Sequence, residues 1–317
     1  MQQITNVLIA CLFGGSQLCM AAHADELQDR FNTVWESLWT QSGSPTWVIR
    51  WSNGVRVRFS GTGVERYRTH VFSVLQAVTK AAGISLRDVS EDENSAKIAN
   101  LEFRLVGQYE LPETIACQTT VHPGRQLQLE SALIKARPNL AWDCIFHEAM
   151  HAMGIRGHPS GKTVLSYFPH GTGALQPMDV LMLKAWYSPQ MRLGATPFEA
   201  LQVMTDAVVD ATIKENEREE AKSAQALFLR NVVQDMERYA EGDGEVPIIV
   251  KRSGWASEQA MASGRKQMAY SVGVAYMKGI GRATDLRKAM QWMERSGLKK
   301  DAPPKIMLDR IERESEK

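Results

Sequence analysis

The run His147-Glu148-Ala149-Met150-His151 places two imidazoles four positions apart, with a carboxylate directly after the first. On a helix, side chains four apart stand one above the other, so both imidazoles can reach one zinc ion while the glutamate reaches a water on it. Each residue type suits that chemistry. Neutral imidazoles hold the ion without cancelling its charge, the ion lowers the pKa of water to about 7, and the carboxylate takes the proton as a carbonyl is attacked. A chance match in a chain of this length is expected about once in a hundred sequences. The plainer alternative is two surface histidines with a salt-bridging glutamate.

A catalytic zinc takes three protein ligands and a water, so a third ligand is required. The chain continues through Gly154 and Gly157 to His158, which is the candidate; His170 is the reserve, and Asp179 on the next helix stands third. This stretch resembles the metzincin metallopeptidases, whose extended motif HExxHxxGxxH matches at His147, Glu148, His151 and Gly154. The family's third histidine stands ten positions after the first, whereas His158 stands eleven after His147. Glycines at 154 and 157 make the longer loop feasible. The run Val164-Leu165-Ser166-Tyr167-Phe168 resembles the metzincin turn below the zinc, with Leu165 where the family places methionine. The resemblance implies an oxyanion-stabilising role for Tyr167, whose other reading is a packed loop tyrosine. Met178 to Tyr187 is similar to the helix that closes the metzincin catalytic domain. By the same analogy, a substrate strand would lie along the edge of the sheet.

The segments around Ala116-Cys117, Cys144, His147 to Gly154 and Tyr187-Ser188-Pro189 also resemble a family of secreted bacterial proteins known as a domain of unknown function. In many of its members glutamates replace the histidines. This chain retains the histidines, so that resemblance implies a scaffold and leaves activity open.

These residues need elements to position them. Leu27, Phe31, Val34 and Leu38 recur at helical spacing, predicting a first helix between Asp25 and Gln41. Trp47, Ile49 and Trp51, then Asn53-Gly54, then Val55, Val57 and Phe59 read as a hairpin. Val64, Tyr67, Val71, Val74 and Val78 predict a helix that stops at Gly83. Strand alternation returns near Leu101 to Leu105, at Cys117 and at Leu127 to Leu129. The motif itself falls on a helix from Leu140 to Gly154, with Trp142, Ile145, Phe146, Ala149 and Met153 on one face and His147, Glu148 and His151 on the other. Helices, strands and a return to helices make the fold class α+β, and the resemblance implies a metzincin-like catalytic domain with a mixed sheet followed by an all-α module.

At the start, the apolar stretch from Val7 to Ala22 and the site Ala22-His23-Ala24 read as a secretory signal cleaved after residue 24. Export would be to a periplasm or to the medium. Cleavage removes Cys11 and Cys19 of the four cysteines, and an oxidising compartment then makes a Cys117–Cys144 disulfide the natural expectation. The apolar stretch is too short and broken for a permanent membrane span. Thirty-seven basic against 36 acidic side chains leave a net charge of +1, which provides no electrostatic footprint for nucleic acid. The charge run from Lys214 to Lys222 reads as a solvated helix face.

At the other end, residues 269 to 297 resemble a Sel1-like repeat, a relative of the tetratricopeptide helical hairpin, on Gly273, Tyr276, Gly279, Gly281, Asp285, Ala289 and Trp292. One repeat cannot bury its own apolar faces, so it must stack on preceding helices, on a degenerate copy around Ala224 to Ala240, or on another chain. The expected organisation is a signal over 1–24, a zinc peptidase domain over 25–195, a helical connector over 196–245 and a repeat module over 246–317. The expected function is that of an exported metallopeptidase with one Zn2+ per chain, acting on a peptide or protein. The rival is a non-catalytic envelope protein whose helical repeat binds a partner, with zinc structural or absent. A third reading keeps hydrolysis but assigns a non-peptide amide.

Overall fold

A computed structural model describes residues 25–298 apart from 108, 125, 139–140, 167–172, 213–214, 246–250 and 252–256. The leader over 1–24, with Cys11 and Cys19, therefore lies outside the described residues. The first helix, α1, covers 25–37 and buries Leu27, Phe31 and Val34 at the predicted spacing. It ends before Gln41 because the chain folds back on itself: Thr46 N–H donates to the Leu38 carbonyl, and Trp39 bridges to Pro45.

Strand β1 (Val55–Ser60) leads into α2 (Glu65–Ala82), which Gly83 closes in the left-handed region at φ 72°. Next come β2 (Leu86–Asp88), the short α3 (Ser95–Ile98), β3 (Leu101–Leu105), β4 (Cys117–Pro123) and β5 (Leu129–Ala136). The sheet order is β2-β1-β3-β5-β4, with β4 the antiparallel edge and the other pairings parallel. Alternate residues of β1 and β3 are buried, while Arg58, Glu102 and Arg104 form ion pairs on the opposite, half-exposed face. Helix α2 packs on β1 and β2, and α4 (Ala141–Ala152) packs beside it on β4 and β5.

The expected hairpin before Val55 does not form. Both neighbours of β1 are parallel strands, so no partner position is left for the segment from Trp47 to Trp51. That segment instead runs beneath α4 as irregular chain. It is tied there by hydrogen bonds: Val48 N–H bonds the Ala195 carbonyl, Arg50 bridges to Gln128, and the Trp51 indole donates to the Ala152 carbonyl at 2.9 Å. Alternation reports a residue buried on one side, and Ile49 and Trp51 are buried without belonging to a sheet. Strand β2, three residues long and nowhere fully buried, carries no comparable pattern.

The C-terminal part is helical: α5 (Pro177–Trp186), α6 (Pro197–Asp210), α7 (Glu215–Glu241), α8 (Glu258–Lys278) and α9 (Leu286–Arg295). In the charge run, Glu219, Glu220 and Lys222 are exposed and Lys222 pairs with Glu219, as a solvated face requires. Helices α8 and α9 form an antiparallel pair whose turn is set by Gly279 and Gly281 at positive φ and by Asp285, which caps α9 by accepting from Lys288 N–H. Helix α8 packs on α7 and α6. A single cluster of buried apolar residues runs from Leu27 through the sheet to Trp292.

At Gly273 a Cβ would lie 2.7 Å from Met293 Cγ and 2.8 Å from the Ala289 carbonyl oxygen, so α8 and α9 touch there backbone to side chain. Gly273→Val is expected to destabilise the chain by about 2 kcal/mol through overpacking. Urea unfolding of both proteins measures it, and an unchanged midpoint would mean that the two helices are not in close contact.

Candidate metal centre

Helix α4 provides two of the three histidines, four residues apart on the same side. Burial of Ile145, Ala149 and Met153 on the other side sets its rotation. The helix is held at three levels. At its start a disulfide joins Cys144 to Cys117 at the head of β4, with Cα atoms 6.2 Å apart. Midway, the Thr119 hydroxyl of β4 donates to the Glu148 carbonyl at 3.0 Å. At its end, where helix carbonyls lack partners within the helix, Ala152 accepts from the Trp51 indole and Met153 from the Tyr187 hydroxyl, each at 2.9 Å.

Beyond α4 the chain must reverse sharply. Gly154 does this at φ 96°, with its Cα so close to Ile49 that a Cβ would meet that carbonyl oxygen at 2.1 Å. The reversal brings His158 back over the helix. The Nε2 atoms of His147, His151 and His158 then lie 3.0, 3.0 and 3.1 Å from one another. His147 Nδ1 bonds the Val164 carbonyl at 2.9 Å, and His151 Nδ1 bonds the Ile155 carbonyl at 2.7 Å. A carbonyl only accepts, so the proton of each of these rings sits on Nδ1 and the lone pair on Nε2. Two such lone pairs 3.0 Å apart repel one another, and a cation between them removes the repulsion.

The site fits a metal on these grounds. Ligand nitrogens around a tetrahedral zinc lie about 3.3 Å apart, slightly wider than the triangle here, and backbone acceptors behind the rings are the usual outer support of metal-bound histidine. The cluster could hold a metal ion. Burial keeps all three imidazoles neutral: His147 is lowered, His151 well below the ordinary value, and His158 pushed down to about 3, the last two also by the neighbouring rings.

Glu148 is buried at 6% exposure, and burial pushes its carboxyl up to about 7 against the opposing pull of hydrogen bonds from Thr119. The polar side of α4 is thus not a solvated face but lies against β4 and the His158 loop. Leu165 is fully buried in the turn whose neighbouring carbonyl, that of Val164, receives His147. Tyr167 and His170 lie outside the described residues. Asp179 is not in the histidine cluster. It is fully buried and accepts from Val164 N–H at 3.1 Å and from Gln176 N–H at 2.8 Å, and burial pushes its carboxyl up to about 6. It therefore fixes the peptide behind His147. The capping spacing of Gln176 and Asp179 around Pro177 signals a helix start but not this second use. Thr119 has no sequence signal, because its role comes from strand β4 lying against α4.

Compared with protein-family models, curated proteins and solved structures, the chain matches none. Among the described residues no helix is long and apolar enough to cross a membrane.

Protons compete with a metal for the same nitrogens, and burial moves that competition below the ordinary imidazole range. Lowering the pH from 7.5 to 5.5 is therefore expected to weaken zinc binding by less than about tenfold, whereas three imidazoles titrating near 6.5 would lose about a thousandfold. Titration against a competing chelator at both pH values distinguishes the two.

Proposed function

We propose that the chain is an exported zinc-dependent metallopeptidase of metzincin-like build, with His147, His151 and His158 as the ligands of one zinc ion and Glu148 as general base and acid. The observation that carries this reading is the triangle of three Nε2 atoms, with Glu148 directly after His147 on α4 and buried. A zinc ion held there supplies Lewis acidity and a water acidified to about neutral pH. The chain's own residues do the remainder. Val164 and Ile155 orient the imidazoles through their Nδ1 protons, and Thr119 ties the glutamate's backbone to the sheet. Burial raises the Glu148 carboxyl above the ordinary range, which favours its taking up a proton and returning it to a leaving amine.

Substrate direction follows from the sheet. Strand β4 is an edge, its Gln118, Thr120 and His122 are exposed, and Thr119 between them touches Glu148. An extended peptide added alongside β4 would satisfy the open backbone groups of that edge and pass the histidines. The disulfide supports an oxidising destination. The α8–α9 pair supports the Sel1-like reading through Gly273, Asp285 and the glycine turn, and its surface is where a protein partner would be sought.

Purified protein is expected to contain about one zinc per chain, and Glu148→Gln is expected to keep the metal while hydrolysis of a peptide library falls by at least about a thousandfold. Mass spectrometry of the library with both proteins reads the cleavage. Cleavage that survives Glu148→Gln overturns the catalytic assignment. Zinc bound without cleavage by either protein favours the silent envelope protein, and cleavage of wall amides alone favours the non-peptide hydrolase.

A further inference from the structure

His158 is the ligand that α4 does not carry, so its position depends on what holds the loop after Gly154. That loop is tied to the last turn of α1. Gly157 N–H donates to the Ser37 carbonyl at 3.0 Å. The backbone N–H and the hydroxyl of Ser160 both donate to Glu36 Oε2, each at 2.7 Å. The fit admits no side chain at the two loop glycines: a Cβ at Gly157 would lie 2.3 Å from the Ser37 oxygen, and one at Gly161 would lie 2.1 Å from Thr33 Oγ1. Glu36 is only 5% exposed, and a carboxylate so buried is tolerated because hydrogen-bond donors meet it. Helix α1 is itself a firm anchor. Phe31 stacks on Phe228 at 5.3 Å and Trp35 on Phe198 at 5.9 Å, so the C-terminal helices back the turn that holds the loop.

We propose that Glu36 is a positioning residue of the metal centre: by receiving both donors of Ser160 it holds the 157–161 loop where His158 Nε2 meets the other two nitrogens. This rests on the reading of the three imidazoles as a zinc site. Glu36 touches neither metal nor substrate, and its effect passes through His158.

The test measures zinc affinity of the full-length chain by chelator competition, together with the visible spectrum of the cobalt(II) form. Glu36→Ala is expected to weaken zinc binding about 10- to 100-fold, as loss of an outer support does, while Glu36→Gln, which keeps an acceptor oxygen, stays within about threefold. The cobalt bands of Glu36→Ala should move toward those of His158→Ala. In a His158→Ala background, Glu36→Ala should cost no further affinity, because the residue it positions is gone. Equal losses in both backgrounds would mean a general structural role and overturn the proposal, as would unchanged affinity in Glu36→Ala. Should Glu36→Ala fail to fold, Ser160→Ala removes one donor only and enters the same cycle, with a loss of several-fold expected. If the wild-type chain binds no zinc, the metal-site reading fails. If it does bind and His158→Ala weakens it while the Glu36 and Ser160 variants do not, only the positioning role fails.

Discussion

Three imidazole nitrogens held within 3.1 Å of one another are the constraint around which the site is arranged. With the proton of His147 and of His151 committed to a backbone carbonyl, their facing nitrogens repel unless a positive charge lies between them. Burial then disfavours supplying that charge by protonating the rings. A bound metal ion satisfies both conditions together. The neutral composition of the chain, with a net charge of +1, is consistent with charge that matters locally rather than across the surface.

Keeping the nitrogens there requires α4 to be immobile, and the surrounding chain meets this need at both ends of the helix. The disulfide to β4 restrains the first turn, while Trp51 and Tyr187 take up terminal carbonyls that would otherwise be unpaired. Both side chains arrive from segments distant in sequence. The irregular stretch before β1 passes beneath the helix, and the end of α5 comes up beside it. Arg50 joins these two by donating to the carbonyls of Trp186 and Ser188. The same packing that forbids a hairpin before Val55 therefore supports the metal centre.

The C-terminal helices are part of this arrangement rather than a loosely tethered addition. Phe198, Phe228 and Tyr239 form ring contacts with Trp35, Phe31 and Trp39, which lie on or just after α1. Glu199 reinforces the junction, bonded by Arg192 on one side and Lys278 of α8 on the other. The α8–α9 pair thus finds its packing neighbours within the same chain. Mechanical continuity from α8 to the His158 loop passes through α1, whose outer residues touch the helices and whose last turn touches the loop.

The residues that could bind metal were legible without a structure, because HExxH spacing is a local property: four residues make about one helical turn whatever surrounds them. Gly83 and Gly154 as helix stops, the buried spacing of α2 and the pairing of Cys117 with Cys144 were legible for similar reasons. His158 could be singled out by proximity in sequence, but its approach to the other two nitrogens depends on Gly154 turning the chain back against Ile49. Other features could not be read at all. The parallel pairing of β1 with β2 and β3, the contact of Thr119 with Glu148, and the burial of Glu36 against Ser160 join residues 29 to 124 positions apart or strands with no turn between them. Such contacts leave no periodic trace in either segment. Local spacing determined which atoms could meet a metal, and only the tertiary structure decided which of them come together, because that depends on how distant segments share one core.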